Sequence, residues 1–158
     1  MPFDEDGFEV IEDVVDEATI DSILSELDPA SREVTGAGFR NAEKKFNSIK
    51  ALANCTAILS MASHYLSGTS QLVRAILFIK SNQNNWLVTW HQDRTVSVSS
   101  KFEERGWGPW SEKDGVLHVQ PPLDVLNQMV TFRIHMDDTS KENGCLDREC
   151  TRARCLQP

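Results

Sequence analysis

The stretch Trp86-Leu87-Val88-Thr89-Trp90-His91-Gln92-Asp93 decides how this chain is read. Its aromatic and β-branched residues suit a strand. Alternate side chains of a strand share a face. Leu87, Thr89, His91 and Asp93 therefore point one way, and Trp86, Val88, Trp90 and Gln92 the other. An imidazole and a carboxylate two residues apart on one face can grip one metal ion side by side. Two histidines and one carboxylate on one face of an octahedron, with the other positions open, form the site of non-haem Fe(II) oxygenases. A lone His-x-Asp also arises by chance, so its neighbours decide.

Downstream, the pattern stays β-like. Leu72 to Lys80 reads as a strand, Asn82 to Asn85 as a turn, and Thr95 to Ser99 as a further strand. Residues 101–115 read as a long loop holding Trp107 and Trp110, the kind of segment that forms a lid or binding loop. His118 follows in the loop before Pro121-Pro122; it either touches substrate or packs. Leu123 to Gln128 is a short helical turn, and Met129 to Met136 a strand. Upstream, Phe8 to Val15 reads as a short strand. Asp16 caps a helix whose stripe is Ile20, Ile23, Leu24 and Leu27, and Asp28-Pro29 ends it. Residues 30–45 read as a loop. Ser48 to Leu66 reads as one helix stopped by Gly68, with His64 on its surface or in its packing. Helices first and strands after them define an α+β or mostly-β domain, with the helices on one side.

Composition excludes several classes. The 158 residues suit one domain or part of one. With 16 basic and 24 acidic residues, the net charge of −8 argues against nucleic acid as a partner. Eleven of the acids precede Arg32, the first basic residue, and read as a solvated helix face. No apolar run approaches the ~20 residues of a membrane span. The acidic Met1-Pro2-Phe3-Asp4-Glu5-Asp6 lacks the positive start of a signal peptide, so a cytoplasmic chain with free thiols is expected.

The ordered motifs around His91 then add a resemblance. Arg74-Ala75-Ile76-Leu77-Phe78-Ile79-Lys80 precedes the Trp86–Asp93 stretch and Arg94. Gly108-Pro109-Trp110, Gly115 to Pro122, Thr131-Phe132-Arg133-Ile134-His135-Met136-Asp137-Asp138 and Glu142-Asn143-Gly144-Cys145-Leu146 follow it. Together they resemble the phytanoyl-CoA dioxygenase family of Fe(II)/2-oxoglutarate-dependent oxygenases, most strongly over residues 72–146. The resemblance implies a mostly-β fold with N-terminal helices: a double-stranded β-helix, jelly-roll or cupin-like, incomplete at its C-terminal end. Residues 1–146 would be the N-terminal part of that domain, with helices in 16–68 and barrel strands in 72–146. Residues 147–158 would be a tail foreign to the family. The resemblance further implies iron on His91 and Asp93, and 2-oxoglutarate as cosubstrate, decarboxylated to succinate while a C–H bond of a small organic substrate is hydroxylated. Ile76 and Arg133 match positions lining the 2-oxoglutarate pocket, with Lys80 nearby. Trp107, Trp110 and His118 are the candidate substrate contacts.

One motif departs. The family continues past Asn143-Gly144-Cys145-Leu146 with Pro-Gly-Ser/Thr-His, whose histidine is the third iron ligand. An arginine beyond it clamps the far carboxylate of 2-oxoglutarate. The sequence here reads Asp147-Arg148-Glu149-Cys150 and on to Pro158. Truncation, a frameshift or a gene-model error is one explanation. A catalytically inactive fragment of the fold is the alternative. His135 matches no ligand position, and His135 with Cys145, Cys150 and Cys155 makes a poor zinc pattern. A barrel stopping after about five of eight strands is expected to expose an apolar inner face, lined by Leu77, Leu87, Phe132 and Ile134, and to be oligomeric or partly molten alone.

Overall fold

The computed structural model describes residues 3, 7–31, 38–66, 68–80 and 93–140. Asp16 opens helix α1, Glu17–Ser31. Its Oδ1 accepts the Thr19 N–H at 2.8 Å, and that bond holds the carboxyl below the usual aspartate range. Ile23 and Leu27 of the expected stripe are buried, whereas Leu24 is 40% exposed. The helix runs past Asp28-Pro29, where the sequence predicted its end. A proline there costs a single backbone donor, and a last turn has few bonds to lose.

Residues 48–66 do not form the single expected helix. Helix α2 spans Asn47–Ala53 and helix α3 spans Thr56–Tyr65. The break falls at Asn54, whose Nδ2 donates to the Lys50 carbonyl at 2.8 Å while Cys55 turns extended. A side-chain amide satisfying a terminal carbonyl competes with the next helical turn. Glu26 of α1 seats the start of α2. It accepts the N–H groups of Asn47 at 3.0 Å and Ser48 at 2.8 Å, and also the Ser48 hydroxyl.

The hydrogen bonds from Ser48, its hydroxyl first and then its N–H, hold the Glu26 carboxyl below the usual glutamate range. A carboxylate depressed on folding stabilises the fold above its unfolded value, and that stabilisation is lost as pH falls through the folded value. Glu26→Gln is therefore expected to shrink the loss of stability on acidification below the ordinary glutamate range. Thermal melts at neutral and acidic pH check this. Parallel acid limbs for the two proteins would refute it.

The stretch 30–45, read as a loop, contains structure. Strand β1, Gly38–Arg40, pairs antiparallel with β2, Ile76–Phe78, with Phe39 opposite Leu77. A 3-10 turn, Ala42–Lys44, follows Asn41, which is buried and left-handed at φ 52°. Ala42 N–H donates to the Ala75 carbonyl at 2.9 Å, and Ala75 N–H donates to Glu43 Oε2 at 2.9 Å. These two bonds clamp the turn onto the chain entering β2.

The core lies between the helices and this two-stranded sheet. Ile23, Leu27, Ala42, Phe46, Ile49, Leu52 and Ile58 are buried together. Val14, Val15, Phe39, Ala75, Leu77, Phe132, Ile134 and Met136 pack against them. Leu77, Phe132 and Ile134 thus face the helical layer and do not line an exposed inner face; Leu87 lies outside the described residues. Ile23→Ala is expected to cost ~2–5 kcal/mol, since Ile23 is 1% exposed at the cluster's centre. Urea unfolding measures it, and a change below ~1 kcal/mol would contradict the packing.

The second sheet has the order β3-β5-β4, all antiparallel, with β3 at Val96–Val98, β4 at Trp110–Lys113 and β5 at Val116–Val119. The long loop predicted for 101–115 therefore ends in a strand. Its hairpin turns at Asp114 (φ 51°) and Gly115 (φ 72°), two consecutive left-handed residues of the Asp-Gly kind that tight hairpins favour. A short helix α4, Leu123–Leu126, follows as expected.

Two predicted strands are not assigned. Residues 8–15 contact the core through Val14 and Val15, and Glu9 accepts the Tyr65 hydroxyl at 2.7 Å. Residues 129–136 keep the alternation of a strand, with Phe132, Ile134 and Met136 inward and Thr131, Arg133 and His135 exposed, but form no ladder with a described residue. What is established of the fold class is a domain of antiparallel sheets and a few helices.

Candidate active site

The register of the second sheet brings two predicted regions to one end. Val96 and Trp110 both lie opposite Val119 on the central strand. The chain entering β3 from Asp93 and the chain entering β4 from Trp107 therefore arrive at the same end of the sheet. Asp93 is exposed there. His91 lies outside the described residues, as do Trp86 to Trp90.

The aromatic loop forms a cleft of about 600 Å³ lined by Phe102, Trp107, Trp110, Lys101 and Arg105, with Glu103 and Glu104. Phe102 packs edge-on against Trp107 at 4.9 Å and against Trp110 at 5.1 Å between ring centres. Lys101 Nζ stands 5.9 Å from the Trp110 ring centre, a cation over a π face. The loop is tied to β5 by Gly108 N–H to the Gln120 carbonyl at 2.8 Å and Gln120 N–H to the Pro109 carbonyl at 3.2 Å. The expected pair Trp107 and Trp110 is thus a trio. The sequence reading missed Phe102, whose signal was its place four residues before Gly106-Trp107 at the loop's start.

His118 lies on strand β5, not in a loop, and is fully buried. Its neighbours across the ladder are Ser97 and Ser111. Arg74 Nη1 lies 3.2 Å from its Nε2, and its Nδ1 lies 3.0 Å from the Val116 carbonyl. Guanidinium only donates, so Nε2 accepts and Nδ1 carries the hydrogen that it gives to Val116. Both ring nitrogens are engaged. Arg74 itself was not singled out from the sequence, where it stands among apolar strand residues.

Of the other predicted positions, Ile76 and Arg133 are exposed. Ala75, just ahead of β2, and Leu77 on it pack into the helical core, while Ile76 between them is 36% exposed. Arg133 is likewise exposed, between the inward Phe132 and Ile134. Lys80 is half-buried just beyond β2. His135, exposed, has Nδ1 3.2 Å from the Thr139 hydroxyl. Cys55 is a free, half-buried thiol, and Cys145, Cys150 and Cys155 lie outside the described residues.

The donors test the implied iron. An imidazole and a carboxylate suit Fe(II) in kind. Among the described residues no three histidine, cysteine, aspartate or glutamate side chains stand close enough to hold a metal ion. Asp93 is the one described member of the pair, so the described residues do not make a complete iron site, and no chemical step is derived through one.

The family model for phytanoyl-CoA dioxygenase (PhyH) matches residues 3–147. The chain belongs to that family. Membership implies the kind of activity of an Fe(II)- and 2-oxoglutarate-dependent oxygenase. No curated protein and no solved structure matches the chain. Among the described residues no helix is long and apolar enough to cross a membrane.

Proposed function

We propose that this chain is the N-terminal part, residues 1–146, of an Fe(II)- and 2-oxoglutarate-dependent dioxygenase that hydroxylates a small organic substrate in the cytoplasm, without a nucleic-acid or membrane partner. The observation that carries this reading is the family match over residues 3–147, a range that contains His91-Gln92-Asp93. The complete fold is a jelly-roll in this proposal, of which the two antiparallel sheets are parts.

His91 and Asp93 would hold the iron, which when bound supplies the activation of dioxygen. The chain's own residues do the rest. Ile76 and Arg133, both facing away from the helical core, and Lys80 at the end of that strand region shape the 2-oxoglutarate pocket. Phe102, Trp107 and Trp110 cover the substrate and exclude water, with Lys101 and Arg105 on the rim of their cleft. His118, fully buried, acts on ligands through Arg74.

The test is succinate release from 2-oxoglutarate by a chain carried on through the family's Pro-Gly-Ser/Thr-His segment. Release that depends on added Fe(II) supports the proposal. No release from a folded, iron-loaded protein contradicts it.

A further inference from the structure

Arg74 is a half-buried cation whose described hydrogen bond goes to a neutral acceptor, the His118 Nε2 at 3.2 Å. Among the described residues no carboxylate faces it. A guanidinium carries five N–H donors in a planar fork matched to a carboxylate. A half-buried guanidinium is stabilised by an anionic partner, and a ligand carboxylate can supply one.

The arginine is held on two sides. His118 is 0% exposed and fixed by its Nδ1–H on the Val116 carbonyl at 3.0 Å. Beside it on the neighbouring strand, Ser97 Oγ donates to the Val73 carbonyl at 3.0 Å. Two adjacent bonds from this sheet thus pin residues 73 and 74, just ahead of β2 of the other. Ala75 and Leu77 turn into the helical core, whereas Arg74, just ahead of β2, reaches His118 of the other sheet.

We propose that Arg74 is an anion-recognition residue that takes the carboxylate of an organic ligand, and that His118 is its positioning residue. This deepens the proposed function, since the carboxylate belongs either to 2-oxoglutarate or to the molecule hydroxylated. Ile76, an exposed apolar side chain two residues further along, suits a carboxylate joined to a carbon chain.

The experiment is calorimetric titration of the metal-free 158-residue chain with 2-oxoglutarate and, separately, with octanoate, using octanamide as the uncharged control. Saturable binding of one carboxylate is expected, weakened roughly tenfold or more in Arg74→Gln and partly kept in Arg74→Lys. Loss for 2-oxoglutarate assigns the cosubstrate, and loss for octanoate assigns the primary substrate. His118→Leu is expected to weaken binding as Arg74→Gln does, whereas His118→Gln retains most of it through its acceptor oxygen. Equal losses in both His118 variants would overturn the positioning role. Where Arg74→Gln does not fold, the wild-type chain is treated with phenylglyoxal, and the bound carboxylate is expected to protect Arg74 from modification. No saturable binding of either carboxylate, unchanged affinity in Arg74→Gln, or no protection of Arg74 would overturn the proposal. The titration uses neither iron nor turnover, so its failure is separable from failure of the oxygenase reading.

Discussion

Gly38→Ala is expected to destabilise the fold by about 3 kcal/mol or more, and Gly115→Ala by only about 1 kcal/mol. Both glycines have positive φ, 126° and 72°. They differ in their surroundings. A Cβ on Gly38 would collide with the backbone carbonyl of Leu77 and crowd Phe78, its ladder partner. Backbone cannot swing aside as a side chain does, so the β1–β2 pairing must open. That pairing carries Phe39 and Leu77 onto the buried cluster, and its loss would also loosen the turn held by Ala42 and Ala75. A Cβ on Gly115 meets nothing within 4 Å, leaving only the strain of a left-handed alanine. Against a domain stability of ~5–15 kcal/mol, the first change is a large fraction and the second is not. Urea midpoints of the two variants measure the difference. Equal shifts would show that the β1–β2 approach is looser than described.

The helical layer was legible because its signals are local. Asp16 stands before an apolar stripe, and its carboxylate does cap α1. The break between α2 and α3 was not legible, because it depends on where the Asn54 amide points. Strand β1 escaped notice for a different reason. Three residues, Gly38–Arg40, are too short for alternation, and they become a strand through a partner 38 residues away. The Asp114-Gly115 pair is a local hairpin signal, but the glycines, proline and tryptophans before it give the stretch the composition of a loop. At the site, the type of residue was legible and the setting was not. Trp107 and Trp110 stood out by size, but the third ring, Phe102, joins them only in space. His118 stood out as a histidine before Pro121-Pro122. Its burial and its bond to Arg74 come from a strand pairing that no short motif encodes.

Asp93→Ala is expected to remove whatever affinity the chain has for Fe(II). In the proposed site the iron has three protein ligands, and the Pro-Gly-Ser/Thr-His motif that would bring the third is not among these 158 residues. With His91 and Asp93 alone, the chain is expected to bind Fe(II) weakly. Removing a hydrogen-bonding neighbour of a ligand commonly costs ~10–100-fold in affinity, and removing a ligand costs more. Asp93→Ala should therefore abolish detectable binding in an anaerobic titration, while His135→Ala should leave it unchanged. Tight micromolar binding by the wild-type chain, or loss on His135→Ala, would mean that another donor completes the site.

In the proposed function His91 and Asp93 hold the iron of a 2-oxoglutarate oxygenase. The most direct measurement is succinate release by the extended chain, comparing wild type with His91→Ala after both have been shown to fold by a cooperative thermal transition. Iron-dependent release in the wild type and none in His91→Ala is the predicted result. Release unchanged by His91→Ala would contradict the assignment.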